Sequence, residues 1–145
     1  MPSTPIHHEY EFAVPAAAID ANGHVNNVEF VRWMQEAAVA HADAAGCTAA
    51  TRDAGATWVV RSHHVEYLRP AVAGDRVRVI TWVANVRRAF SLRRYQFRRA
   101  GDGMVLARGE TNWVFVDSET GRPRSIPPPA MTGFELASEG WEPPA

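Results

Sequence analysis

The chain has no lysine, a single cysteine and no apolar run near the roughly 18 residues that a membrane span needs. Each shortage excludes something. Cys47 alone cannot close an internal disulfide, so there is no cross-linked framework and a reducing compartment fits. It sits among small residues with no basic neighbour, which reads as a small structural thiol and not as a nucleophile. Met1 to Tyr10 carries Pro, His and Glu where a secretory signal needs a basic start and an apolar stretch, so a cytoplasmic location is expected and no membrane. The net charge of -1 lacks the sustained basic footprint of nucleic-acid binding, so no nucleic acid is expected as a partner. Six histidines and one cysteine show no metal-ligand spacing, and neither a metal nor a cofactor is expected.

What is present is the composition of one globular domain. At 145 residues the chain has the length of a single domain with a core of its own. All 15 cations are arginine, and eight of them fall between Arg76 and Arg99. A GC-rich codon bias explains the missing lysine but not this clustering. The alternation of His8, Tyr10, Phe12 and Val14 with Glu9, Glu11 and Ala13 has the period of a half-buried strand. Asn22-Gly23 then marks a turn, and the asparagines that follow cap a helix expected from Val28 to Ala45, stopped by Gly46. Phe30, Val31, Met34, Ala38, His41, Ala42 and Ala45 share its apolar side, with Glu29, Arg32, Glu36 and Asp43 opposite. His41 on the apolar side reads as a core histidine.

Strands are expected at Thr57 to Leu68, Asp75 to Val86, Phe90 to Arg99 and Met104 to Asp117. No helix separates the later strands, which excludes a parallel βαβ sheet. An α+β fold remains, with a five- to six-stranded antiparallel sheet curled around one long helix. Residues 1–130 form the expected domain, and 131–145 a proline-containing tail, extended or loosely attached.

The chemistry concentrates at Asp20 to Asn27. A helix start holds unpaired backbone N–H groups and partial positive charge, which stabilise a developing oxyanion without a side chain. A carboxylate delivered there is a minimal apparatus for attacking a carbonyl or deprotonating the water that does so. Read from spacing alone, an Asp before a helix is more often a turn or capping residue than a catalytic one.

The run Asp20-Ala-Asn-Gly-His-Val-Asn-Asn27 opening a long helix, followed by Val65-Glu-Tyr67-Leu-Arg-Pro70, Gly74-Asp75, Trp113-Val-Phe-Val-Asp117 and Gly121-Arg-Pro123, resembles the 4-hydroxybenzoyl-CoA thioesterase-like branch of the hotdog superfamily. The resemblance covers about His8 to Pro127. It implies a hotdog domain that hydrolyses an acyl-CoA thioester, with acyl carrier protein as an alternative carrier. Asp20 takes the place of the nucleophile or general base, and the backbone N–H of Asn27 that of the oxyanion donor. Gly23 permits the sharp approach, while His24 and Asn26 shape the pocket. A site between subunits is implied, hence a homodimer or a dimer of dimers (a homotetramer).

Gln35 and Ala38 depart from the resemblance, standing where an ion pair commonly lines the helix. Glu36 is the nearest match to a helix-borne catalytic carboxylate but falls on the polar side. His63 and His64 neighbour each other on a strand, so one at most faces the site, and His64 is the substrate-binding candidate. Trp33 and Trp58, with Met34 and Phe90, are candidates for the acyl pocket. Arg87 and Arg88, with Arg93 and Arg94, are candidates for the CoA phosphates, because guanidinium binds phosphate bidentately. Two rival readings remain: a hotdog hydratase or dehydratase using Asp20 and His24, and a non-catalytic acyl-CoA-binding protein in which Asp20 is only a turn residue.

Overall fold

The structure, a computed structural model, describes residues 6–144. Strand β1 spans His7–Ala13, helix α1 Asn27–Ala44, helix α2 Cys47–Asp53, strand β2 Ala56–Tyr67, β3 Arg76–Arg87, β4 Phe90–Arg99, β5 Val105–Asp117 and the short helix α3 Pro128–Met131. The five strands form one sheet in the order β1-β3-β4-β5-β2, every neighbouring pair antiparallel. The expected α+β architecture is therefore present, with five strands.

Helix α1 forms where local chemistry dictates. Asn26 caps it, its side-chain Oδ1 accepting from the Val28 N–H at 3.0 Å. No Pro or Gly interrupts it, and Gly46, at φ 78°, takes the left-handed conformation just past its end. Phe30, Trp33, Met34, Ala37, Ala38 and His41 are buried against the sheet. Trp33 and Ala37 thus join the apolar side read from the sequence.

The core lies between α1 and the concave side of the sheet, where Val77, Val79, Tyr95, Phe97 and Ala107 meet Phe30 and Met34. The helix comes very close to β5. A Cβ added to Gly109 would stand 2.8 Å from Met34 Sδ, so this strand position tolerates no side chain unless Met34 moves.

Two expectations are corrected. The small-residue stretch after Gly46 folds as α2, which buries Cys47 and Thr51. The tail is not loose within the described residues. The β1 ladder ends opposite Trp82, and the Ala137 N–H takes the next carbonyl, Val83 O, at 3.1 Å. Trp141 packs edge-on to Trp82 with ring centroids 5.1 Å apart. Arg98 donates to the carbonyls of Pro143 and Pro144 at 2.8 and 2.7 Å. The prolines suggested an end without a ladder, but carbonyls and ring faces need no N–H to be anchored. No helix among the described residues is long and apolar enough to cross a membrane.

Gly109→Val should cost about 1–3 kcal/mol by overpacking against Met34. Urea denaturation checks this, with Gly101→Val, where an added Cβ meets nothing within 4 Å, as the comparison.

Candidate active site

Between β1 and α1 the backbone makes a tight excursion. Ile19 and Val25 form an antiparallel bridge, the Asp20 N–H donates to His24 O at 2.8 Å, and the Gly23 N–H to Asp20 O at 3.0 Å. Gly23 sits at φ 78°, a conformation that costs a side-chain-bearing residue but not glycine. Val25 N–H to Ala71 O and Asn26 N–H to Ala18 O, both at 2.8 Å, fasten the turn to its surroundings.

Asp20 Oδ1 accepts from the Asn22 N–H at 2.9 Å and, more weakly, from the His24 N–H at 3.4 Å. These two bonds hold the carboxylate in place. The other oxygen, Oδ2, has no hydrogen-bond partner among the described residues. The turn and any chemistry thus draw on different oxygens of one group. Asn27 is the first residue of α1, and no hydrogen bond among the described residues uses its N–H. Its carbonyl accepts from Tyr67 Oη at 3.0 Å, which ties the end of β2 to the start of the helix. This reach across 40 positions is not legible in the local sequence around Tyr67. His24 and Asn26 are exposed at the same turn.

The other candidates lie elsewhere. His64 is on the face of the sheet away from α1, with Glu66 3.9 Å from it. A bulge between Val60 and Ser62 inserts one residue and reverses the alternation of β2. His63 consequently faces the helix side, its Nδ1 2.8 Å from Thr111 Oγ1. Trp33 is buried among Phe12, Phe30 and Phe97, a core position. Trp58 lines a cavity of about 660 Å³ between the C-terminal half of α1, α2 and the sheet, together with Gln35, and donates from Nε1 to Thr51 Oγ1 at 3.0 Å.

Arg87 and Arg88 are exposed in the β3–β4 turn, a strand's length of roughly 36 Å from the Asp20 end of β3. Within one chain they do not approach Asp20. Arg94 is 3.4 Å from Glu110. Arg93 does not fit a surface phosphate contact, because it is buried beneath α1. Its Nη1 donates to His41 Nδ1 at 2.8 Å and to Thr81 Oγ1 at 3.1 Å. Since guanidinium only donates, the accepting Nδ1 is unprotonated and His41 is neutral. Burial first, then the charge of Arg93 and the nearby His8 and His7, push the His41 pKa down to about 3. Burial also raises the Cys47 thiol, which is consistent with an inert structural role. Among the described residues no three His, Cys, Asp or Glu side chains gather as a metal site.

A family model described as the thioesterase-like superfamily matches residues 14–134. No curated protein matches the chain. Among solved structures, a 1,4-dihydroxy-2-naphthoyl-CoA thioesterase from Synechocystis superposes with a TM-score of 0.79 at 20% identity, over 88% of this chain and 94% of that one. A mutant 4-hydroxybenzoyl-CoA thioesterase complexed with 4-hydroxybenzoyl-CoA gives 0.80 at 17% identity, over 90% and 100%. A 12:0-ACP thioesterase from Umbellularia californica gives 0.79 at 24% identity, over 86% of this chain and 48% of that one. At such identities the likeness shows the fold.

The buried neutral His41 sets a pH dependence. Its folded pKa lies below the unfolded 6.5, so the unfolded chain binds the proton first as pH falls. Stability should be fully present above about pH 6.5 and decline toward pH 3. His41→Gln, which keeps an acceptor for Arg93 but cannot titrate, should flatten that slope in urea melts taken across the window.

Proposed function

We propose that this chain, which belongs to the thioesterase-like superfamily, hydrolyses an acyl-CoA thioester to the free acid and CoA at the Asp20 turn. The observation that carries this reading is the pairing of a held carboxylate, with Oδ2 unengaged, and an unclaimed N–H at Asn27 at one end of α1. The Asn27 N–H would accept the negative charge that builds on the carbonyl oxygen, aided by the helix terminus. Asp20 would act on the carbonyl carbon as nucleophile, or on a water as general base. The C–S bond then breaks, and the departing thiolate, with a thiol pKa near about 8.5, needs little acid assistance; in the nucleophilic route a water then cleaves the aspartyl–acyl anhydride, which releases the free acid and restores Asp20. One carboxylate therefore suffices.

The solved thioesterases named above act on CoA thioesters and, in one case, on an acyl-ACP, so acyl carrier protein remains a second carrier to test. The free edge of the sheet supports a dimer. Strand β2 is a terminal strand of twelve residues, long enough to pair with a second copy and otherwise a liability. Antiparallel pairing of two such strands places the start of one beside the end of the other. Trp58, Arg87 and Arg88 of one subunit would then approach the Asp20 turn of the next, the arginines as phosphate ligands for CoA. A dimer of dimers is the further assembly expected.

Asn at position 20 keeps an Oδ1 for the Asn22 and His24 N–H groups, so Asp20→Asn removes the chemistry and spares the turn. Thiol release from short, medium, long and aryl acyl-CoAs should fall at least about a hundredfold. Acyl-CoA binding by the wild type without any thiol release, from CoA or carrier-protein esters, would overturn the hydrolase in favour of a binding protein. Sedimentation equilibrium should return at least twice the 16.0 kDa of the chain, and His63→Pro, which removes an N–H on the free-edge side of β2, should lower it.

A further inference from the structure

Arg93 is the group most at odds with its surroundings. It is 5% exposed, on the concave side of β4, beneath His41 of α1. Only Nη1 is engaged, by two neutral acceptors, His41 Nδ1 and Thr81 Oγ1. No ion pair among the described residues includes it, and Nε and Nη2 have no acceptor among them. The Phe134 ring lies 5.6 Å from its Cζ. A buried guanidinium held only by neutral groups is costly unless something brings it a negative charge.

That guanidinium forms part of the wall of the 660 Å³ cavity, whose size is within the roughly 300–1,000 Å³ of small-molecule sites. Ala38, Val39, Trp58, Val83, Met131 and Phe134 make the rest of the cavity largely apolar. The one acid on its wall, Asp43, is exposed and engaged by Thr48 Oγ1 at 2.5 Å. The wall's other arginine, Arg52, is exposed and stands 3.9 Å from Asp53. Arg93 is therefore the single buried cation on the wall of a largely apolar space.

We propose that this cavity takes an apolar chain ending in a carboxylate, and that Nε and Nη2 of Arg93 bind that carboxylate. These two groups lie along one edge of the guanidinium plane, the edge that receives a carboxylate bidentately. One cation in an apolar wall matches one negative charge; a phosphate would call for more donors and charge. Resting on the hydrolase reading, the occupant is the distal end of a long acyl group, because His41 above Arg93 stands roughly 21 Å along α1 from Asn27; the substrate is then a long-chain ω-carboxyacyl thioester. A free fatty acid has the same chemistry, and the two sources separate in the test.

Calorimetry on the wild type compares octanoate with 1-octanol, and thiol-release kinetics compare the CoA thioester of hexadecanedioic acid, long enough to span that distance, with hexadecanoyl-CoA. Octanoate should bind at least about thirtyfold more tightly than 1-octanol, and Arg93→Met should abolish the difference while Arg93→Lys keeps part of it. A kcat/KM favouring the ω-carboxyacyl ester by a similar factor supports the distal end of a substrate as occupant. Tighter octanoate binding with no such kinetic preference supports the site with a free acid as occupant. Equal binding of octanoate and 1-octanol by the wild type overturns the proposal, whether or not either variant folds. Because the calorimetric arm needs no turnover, a chain that hydrolyses neither ester would defeat the hydrolase reading and leave this one decided by binding.

Discussion

Contact between Met34 and Gly109 sets how far helix α1 stands from the sheet, and the rest of the concave face is arranged around that separation. With the helix this close, large rings fit only to one side of the contact. Phe30, Trp33, Phe12 and Phe97 fill that side, with ring centroids 4.7–6.4 Å apart. On the other side the helix offers Ala37 and Ala38, both buried, and the space is closed by other elements: α2, α3 and the chain after it. The cavity is what these shorter pieces leave unfilled.

The two ends of α1 are consequently different chemical environments. At its start, an aromatic floor and the Tyr67 hydroxyl hold the first turn rigidly while its backbone donors stay accessible. Toward its end, His41, Thr81 and Arg93 form a polar cluster enclosed in the core, with the half-buried His8 stacked on His41 at 5.3 Å. Burial lowers the pKa of His8, as it does that of His41, so the neutral forms are favoured and no second positive charge builds up beside the arginine. The dry end asks for a ligand's charge; the wet end supplies donors to a reaction.

The legible parts of this molecule were those decided locally. The Asp20 turn, the Asn26 cap and the Gly46 stop are set by residues within a few positions of one another, and the alternation in β1 needs only itself. Cys47 was read as a small structural thiol, though not its helix, because the preceding glycine marks an end and equally serves as a beginning. Arg93 was one arginine of a cluster, and nothing in its neighbours distinguished it from Arg94. What separates them is the side of β4 each faces, and that depends on which face the helix covers. The anchoring of the C-terminal stretch was equally hidden, since Trp82, Val83 and Arg98 lie far from it in sequence.

The bulge in β2 makes the strand two segments of opposite phase. Upstream of it Ala56, Trp58 and Val60 face the helix, and downstream His63, Val65 and Tyr67 do. A single-codon deletion at Arg61 would remove the bulge and leave both sets facing as they do, because Val60 and Ser62 already pair with the consecutive residues Trp113 and Asn112. For a lineage carrying this fold, length at that one position is a heritable variable that removes or restores a bend in the edge strand without exchanging its inner lining, and one that comparison by substitution alone would pass over.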